Sequence, residues 1–230
     1  MCFSASASFG AGVVLSVFGV AAIRKAKHPS QYLFAGIPLI FAVQQLAEGC
    51  LWLLLPNPDY ATSQHIFTYI FLCFAQIIWP AWVPLAFLLL EKESTRDKLQ
   101  RILVGMGLLV SVYLGVCLLS YPVQAKLVNY HVTYEQSYPP AWSNIIAVIY
   151  LIATIAPPFF SHIKKMWLLG SAILISYIIT AIFYDNYLVS VWCFFASVIS
   201  FSVYIIMLEI EKMPTRASLS GNRPEPARLA

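Results

Sequence analysis

FSASASFGAGVVLSVFGVAAI, residues 3–23, is followed at once by Arg24, Lys25 and Lys27. As a helix rising ~1.5 Å per residue, a segment of this length covers the ~30 Å hydrocarbon core of a bilayer. Six more apolar stretches follow, at 32–55, 64–90, 100–121, 142–161, 166–184 and 187–208. The cations between them alternate. Lys92, Arg96, Lys98 and Arg101 stand at the third gap, Lys164 and Lys165 in the fifth, and Lys212, Arg216, Arg223 and Arg228 after the last stretch. The second and sixth gaps hold no Lys or Arg, and the fourth holds only Lys126. Cationic loops stay on the cytoplasmic side, so this bias sets orientation. The pattern predicts an all-α, polytopic protein of the cell membrane: a seven-transmembrane helix bundle with its N-terminus outside and its C-terminus cytoplasmic.

Composition agrees with this. Hydrophobic residues make up 60% of the 230 and charged residues 10%, against ~25% charged in soluble domains. The net charge of +4 falls almost wholly on the inner gaps. It therefore reads as an orientation signal facing anionic headgroups, not as a nucleic-acid surface. One transmembrane domain, residues 1–211, uses nearly the whole chain. Residues 212–230, rich in Pro, Arg, Ser and Gly with no apolar period, read as a disordered tail. The first stretch has no basic region before it and no clean small-residue cleavage site, so it is expected to be a retained helix.

Within the spans, Ser4, Ser8, Gly12 and Ser16, with Gly19 a turn on, form a stripe of small side chains. Such stripes let helices approach closely in lipid. The third span contains Pro80 and Pro84, which cannot donate to the carbonyls of Gln76 and Pro80 in an α-helix. A kink in polar surroundings is the expected resolution. The longest outer gap, Pro122 to Ala141, holds Tyr130, His131, Tyr134 and Tyr138 and fits a loop folded over the outer mouth or lying at the headgroups.

Glu48 is the one charged side chain well inside a span. An intramembrane acid is costly and marks a functional site by default. Phe41, Gln44, Gln45, Glu48 and Trp52 share one helical face, which must look into the bundle. On the third span, Tyr69, Cys73 and Gln76 lie at matching depth, with Trp79 and Pro80 at the kink beside them. These residues predict a polar pocket between the second and third helices, reached from outside, for a small solute, proton or metal ion. The same face serves equally well as an interhelical hydrogen-bond network that fixes packing. Cys2 at the external end, with Glu48, His65 and His131, offers donors suited to copper(I) or zinc, although none has metal-ligand spacing.

The opening Met1-Cys2-Phe3-Ser4-Ala5 and the block Gln44-Gln45-Leu46-Ala47-Glu48-Gly49 resemble an uncharacterised family of bacterial seven-helix membrane proteins. The resemblance carries no activity. It implies that Cys2, Gln44, Gln45 and Glu48 belong to a shared feature.

Other classes fit less well. A retinal protein needs a lysine in its last helix for the Schiff base, and 187–208 has none. Four histidines, none deep in a span, suit a seven-helix zinc hydrolase poorly. A membrane sensor or interaction protein is the remaining alternative, but its inner loops are short. Binding or transport through Glu48 is the expectation carried forward. Oligomeric state is not legible.

Overall fold

The computed structural model describes residues 4–91, 97–129, 131–163 and 165–212. Cys2 and the tail from residue 213 lie outside the described residues. Six helices are long and apolar enough to cross a membrane: α1 (Ala5–Lys25), α2 (Pro29–Leu54), α3 (Pro58–Leu90), α4 (Lys98–Ser120), α6 (Met166–Phe183) and α7 (Asp185–Lys212). Between α4 and α6 lies a shorter apolar helix, α5 (Pro140–Ile155). It stops early because Pro157 and Pro158 have no N–H to give, and the chain continues as a 3-10 turn, Pro157–Phe160. The fold is all-α in its membrane-length elements.

The one sheet lies in the loop between α4 and α5. Strands β1 (Val123–Val128) and β2 (His131–Gln136) pair antiparallel, with Val123 opposite Gln136 and Val128 opposite His131. Asn129 at the tip has φ 48°, a left-handed conformation that Asn tolerates better than most residues. Alternation sends Val123, Ala125 and Leu127, with Val132 and Tyr134, toward the bundle. Tyr134 stacks on Phe71 of α3 with ring centres 4.7 Å apart, and His131 stacks on Tyr187 at the start of α7 at 4.3 Å. The expected aromatic loop is thus a hairpin set across the ends of α3 and α7.

The small-residue stripe of α1 packs on α2. A Cβ at Gly12 would stand 2.8 Å from Leu46, and one at Gly19 would stand 2.5 Å from Leu39 and 2.9 Å from its backbone nitrogen. Phe9 in turn fills the space over Gly49. Close approach is what the stripe supplies, because apolar burial gives little drive in lipid.

The kink in α3 takes a form the sequence did not predict. Cys73–Ile78 is a π turn, and the N–H of Trp79 reaches back five residues to Phe74. In that register Pro80 deprives Ala75 of its partner, not Gln76. The Ala75 carbonyl instead accepts from Tyr150 Oη of α5 at 2.6 Å, and Ile77 accepts from Ser111 Oγ of α4 at 2.8 Å. The Pro80 carbonyl, freed by Pro84, presses on Gly107 of α4 so closely that a Cβ there would lie 1.9 Å away.

The end opposite the hairpin is tied by ion pairs. Lys25 of α1 and Lys27 just past its end reach Glu211 of α7 at 3.2 and 3.6 Å, and Lys165 reaches Glu209 at 3.4 Å. Glu91 at the end of α3 accepts from the Ser161 hydroxyl and from the His162 backbone N–H.

Candidate functional site

The polar face of α2 is buried as its pattern requires. Gln44, Gln45 and Glu48 are each 0% exposed. Phe41 stacks on Trp79 with ring centres 3.8 Å apart, and the Trp79 indole N–H donates to Gln44 Oε1 at 2.7 Å. So α3 answers Gln44, but it does not answer the acid. Glu48 Oε1 accepts from Ser190 Oγ of α7 at 2.5 Å. Gln45 is the carboxyl group's other polar neighbour, and Cys193, one turn beyond Ser190, lies beside both Glu48 and Gln44.

This cluster is under-satisfied. Glu48 Oε2, Gln44 Nε2 and both polar atoms of the Gln45 amide are buried without a hydrogen-bond partner, as is Ser8 Oγ on the packed face of α1. Buried polar atoms are nearly always paired, and each orphan costs ~1–3 kcal/mol. The described Lys and Arg side chains sit at the helix ends and in the hairpin, far along the chain from Glu48. A lone buried carboxylate costs several kcal/mol. An ionised Glu48 would therefore need a positive partner, whereas the orphaned Nε2 groups of Gln44 and Gln45 are donors, with Gln45 beside the carboxyl group.

The remaining expected residues are dispersed. Trp52 is on α2 with its indole N–H buried and unpartnered. Tyr69 packs in a second apolar core, against His65 with ring centres 4.4 Å apart. Gln76 Oε1 accepts from Tyr138 Oη at 2.8 Å, just past the hairpin. Burial pushes the Tyr138 phenol up to about 12. Pro80 belongs to the α3–α4 contact. Among the four proposed metal donors, Cys2 is outside the described residues, Glu48 is held by Ser190, His65 by Tyr69, and His131 by Asn129 and Tyr187. Among the described residues no three His, Cys, Asp or Glu side chains gather as a metal site.

Two cavities lie near the cluster: one borders both α2 and α3, at Phe41 and Trp79, and the other is bounded by α3 to α7 and the hairpin. An outer cavity of about 320 Å³ sits below the hairpin, walled by α3 to α7 and lined by Gln76, Tyr138, Tyr150 and Trp192. An inner one of about 70 Å³ is lined by Phe41, Trp79, Tyr150 and Trp192. Cys193 touches both. The turn Ser190–Cys193 of α7 thus separates the Glu48 cluster from the cavities. Sequence reasoning missed Ser190, Trp192, Tyr150 and Tyr138. Serine in a span is common, and the prolines of α3 signalled orphaned carbonyls, expected at Gln76 and Pro80, without saying which hydroxyl would answer them.

A family model covers residues 1–218. The chain belongs to DUF6629, a family of unknown function. Neither a curated protein nor a solved structure matches it. Membership agrees with the expectation of an uncharacterised family, and brings no activity to this DUF6629 protein.

Proposed function

We propose that this DUF6629 protein crosses the cell membrane seven times, N-terminus outside, and binds and exchanges a proton or small cation at Glu48. One observation carries this reading: a wholly buried carboxyl group with one oxygen held by Ser190 and the other unpartnered, among the orphaned amides of Gln44 and Gln45. A pure packing network would satisfy its own members. Intramembrane acids of this kind mark ion and proton pathways. Six helices of spanning length, with the shorter α5 extended by a 3-10 turn, support seven crossings. Grouping of Lys25, Lys27 and Lys165 at the end away from the hairpin supports a cytoplasmic face there. The cluster is closed, so exchange requires the Ser190–Cys193 turn to part from α2.

The test is reconstitution into vesicles loaded with a fluorescent pH indicator, followed by an external acid pulse, with and without sodium or potassium. Wild type should acidify the lumen, or do so in a cation-dependent manner. Glu48→Gln, folded and inserted to the same extent, should not differ from empty vesicles. Equal responses from the two proteins would refute the assignment. Copper(I) or zinc enters only through Cys2, and metal analysis of wild type beside Cys2→Ser decides it.

A further inference from the structure

The outer cavity is a site of a different kind. At about 320 Å³ it falls within the ~300–1,000 Å³ range of small-molecule pockets. The inner cavity, about 70 Å³, is too small for such a ligand. Among the described residues no charged one lines the outer cavity, and aliphatic side chains and aromatic rings share its wall. Trp192 stands edge-on to Tyr150 and Tyr177, with ring centres 5.9 and 5.3 Å away.

Its buried, unpartnered polar atoms are donors. The Tyr138 and Tyr150 hydroxyls are already spent on Gln76 Oε1 and the Ala75 carbonyl. Trp192 and Gln136 also line the cavity, and each carries a buried N–H without a partner just behind that wall. Trp192 is 8% exposed, so no surrounding solvent compensates it. Both are donors without charge. They fit an acceptor without charge, such as a carbonyl or ether oxygen.

The way in is sideways. A groove of about 290 Å³ between α5 and α6 shares Leu151 and Tyr177 with the outer cavity. Its outer lip is formed by Ile152, Phe159 and Leu174, all exposed apolar side chains. On helices of membrane length, that lip faces hydrocarbon.

We infer that the cavity beneath the hairpin binds a neutral, lipid-soluble molecule with a carbonyl-type head, entering from the bilayer between α5 and α6. The head is held by Trp192 and Gln136, and the chain lies in the groove past Leu151 and Tyr177. A carboxylate or phosphate head would find no cation in this wall. This inference concerns a separate site and does not depend on proton or cation exchange at Glu48.

The test is photolabelling of the full chain in phosphatidylcholine vesicles by a diazirine-bearing methyl palmitate. Mass spectrometry locates the adducts, and unmodified methyl palmitate competes. Adducts are expected on the cavity-facing turns of α5, α6 and α7, and competition should remove them. Trp192→Phe should weaken competition roughly five- to tenfold, the worth of one buried hydrogen bond. Leu151→Trp should block the groove and abolish cavity adducts while labelling of outward residues such as Ile182 persists. Adducts confined to outward residues, or cavity adducts that survive both substitutions, would overturn the proposal.

Discussion

Gly107→Ala is a severe test of the α3–α4 contact, because one methyl group is set against backbone atoms. The added carbon would lie 1.9 Å from the Pro80 carbonyl oxygen and 2.9 Å from its carbon. Contacts below 3.0 Å essentially do not occur, so the deficit is about 1.1 Å. No side-chain rotation relieves it. The helices must separate, which also stretches the Ser111 hydroxyl bond to Ile77, one turn away. Overpacking typically costs ~1–3 kcal/mol, and a backbone clash with a linked hydrogen bond belongs at the upper end. For a chain of this size ~3 kcal/mol lowers the unfolding midpoint by roughly 6–12 °C. Gly105 is the internal control. It sits on the same helix with nothing within 4 Å of its would-be Cβ. Gly105→Ala should be neutral or stabilising by up to ~1 kcal/mol from helix propensity. The assay is thermal loss of helical circular dichroism in one detergent for all three proteins. An unchanged midpoint for Gly107→Ala, or an equal loss for Gly105→Ala, would show that α3 and α4 do not meet as described.

Three further expectations follow from individual contacts. Ser190→Ala leaves Glu48 Oε1 without its donor and should cost ~1–3 kcal/mol in the same melting assay, whereas Ser6→Ala, a bond at the exposed start of α1, should cost little. Tyr150→Phe strands the Ala75 carbonyl and should destabilise by a similar amount; a double-mutant cycle with Ser111→Ala should show coupling, because both hydroxyls serve the same π turn. Tyr138 is held above its ordinary value, to about 12, by burial, so its neutral form is favoured in the folded state. Its contribution to stability is complete below pH ~10 and is lost as pH rises toward 12, so Tyr138→Phe should flatten stability in that window.

The all-α class and the helix positions were legible because the bilayer imposes length, and length survives in a bare apolar pattern. The inward turn of Gln44, Gln45 and Glu48 was legible for a related reason: lipid admits polar side chains only when protein covers them. Their partners were less so. Any helix can offer a serine, and nothing in the run Leu188-Val189-Ser190-Val191 distinguishes the donor to Glu48 from Ser197 or Ser200, which bond to their own helix backbone. The hairpin carried a usable signal in the alternation of Val123 to Val128 and the turn residue Asn129, hidden by the general apolarity of the chain. The two prolines of α3 predicted orphaned carbonyls. They did not predict the π turn, which moves one orphan from Gln76 to Ala75, because a register shift depends on which neighbour can supply a hydroxyl.

That shift connects the backbone of α3 to the cavities. Because Pro80 cannot donate, Ala75 needs a hydroxyl from outside the helix, and Tyr150 is drawn across from α5 to supply it. The same ring then stands against Trp192 and forms part of the wall between the outer and inner cavities. With its hydroxyl engaged, Tyr150 offers that wall only a hydrophobic face, while Trp192 is left with an N–H pointing to no protein acceptor. On the other side of the same turn of α7, Ser190 spends its hydroxyl on Glu48. Four residues of α7 thus face two sites of opposite chemistry, an acid that wants a positive partner and a neutral donor that wants an acceptor. Any movement of that turn that frees Glu48 must also shift Trp192 and Cys193 in the cavity wall. Coupling between the two sites needs no longer pathway than this single helical turn.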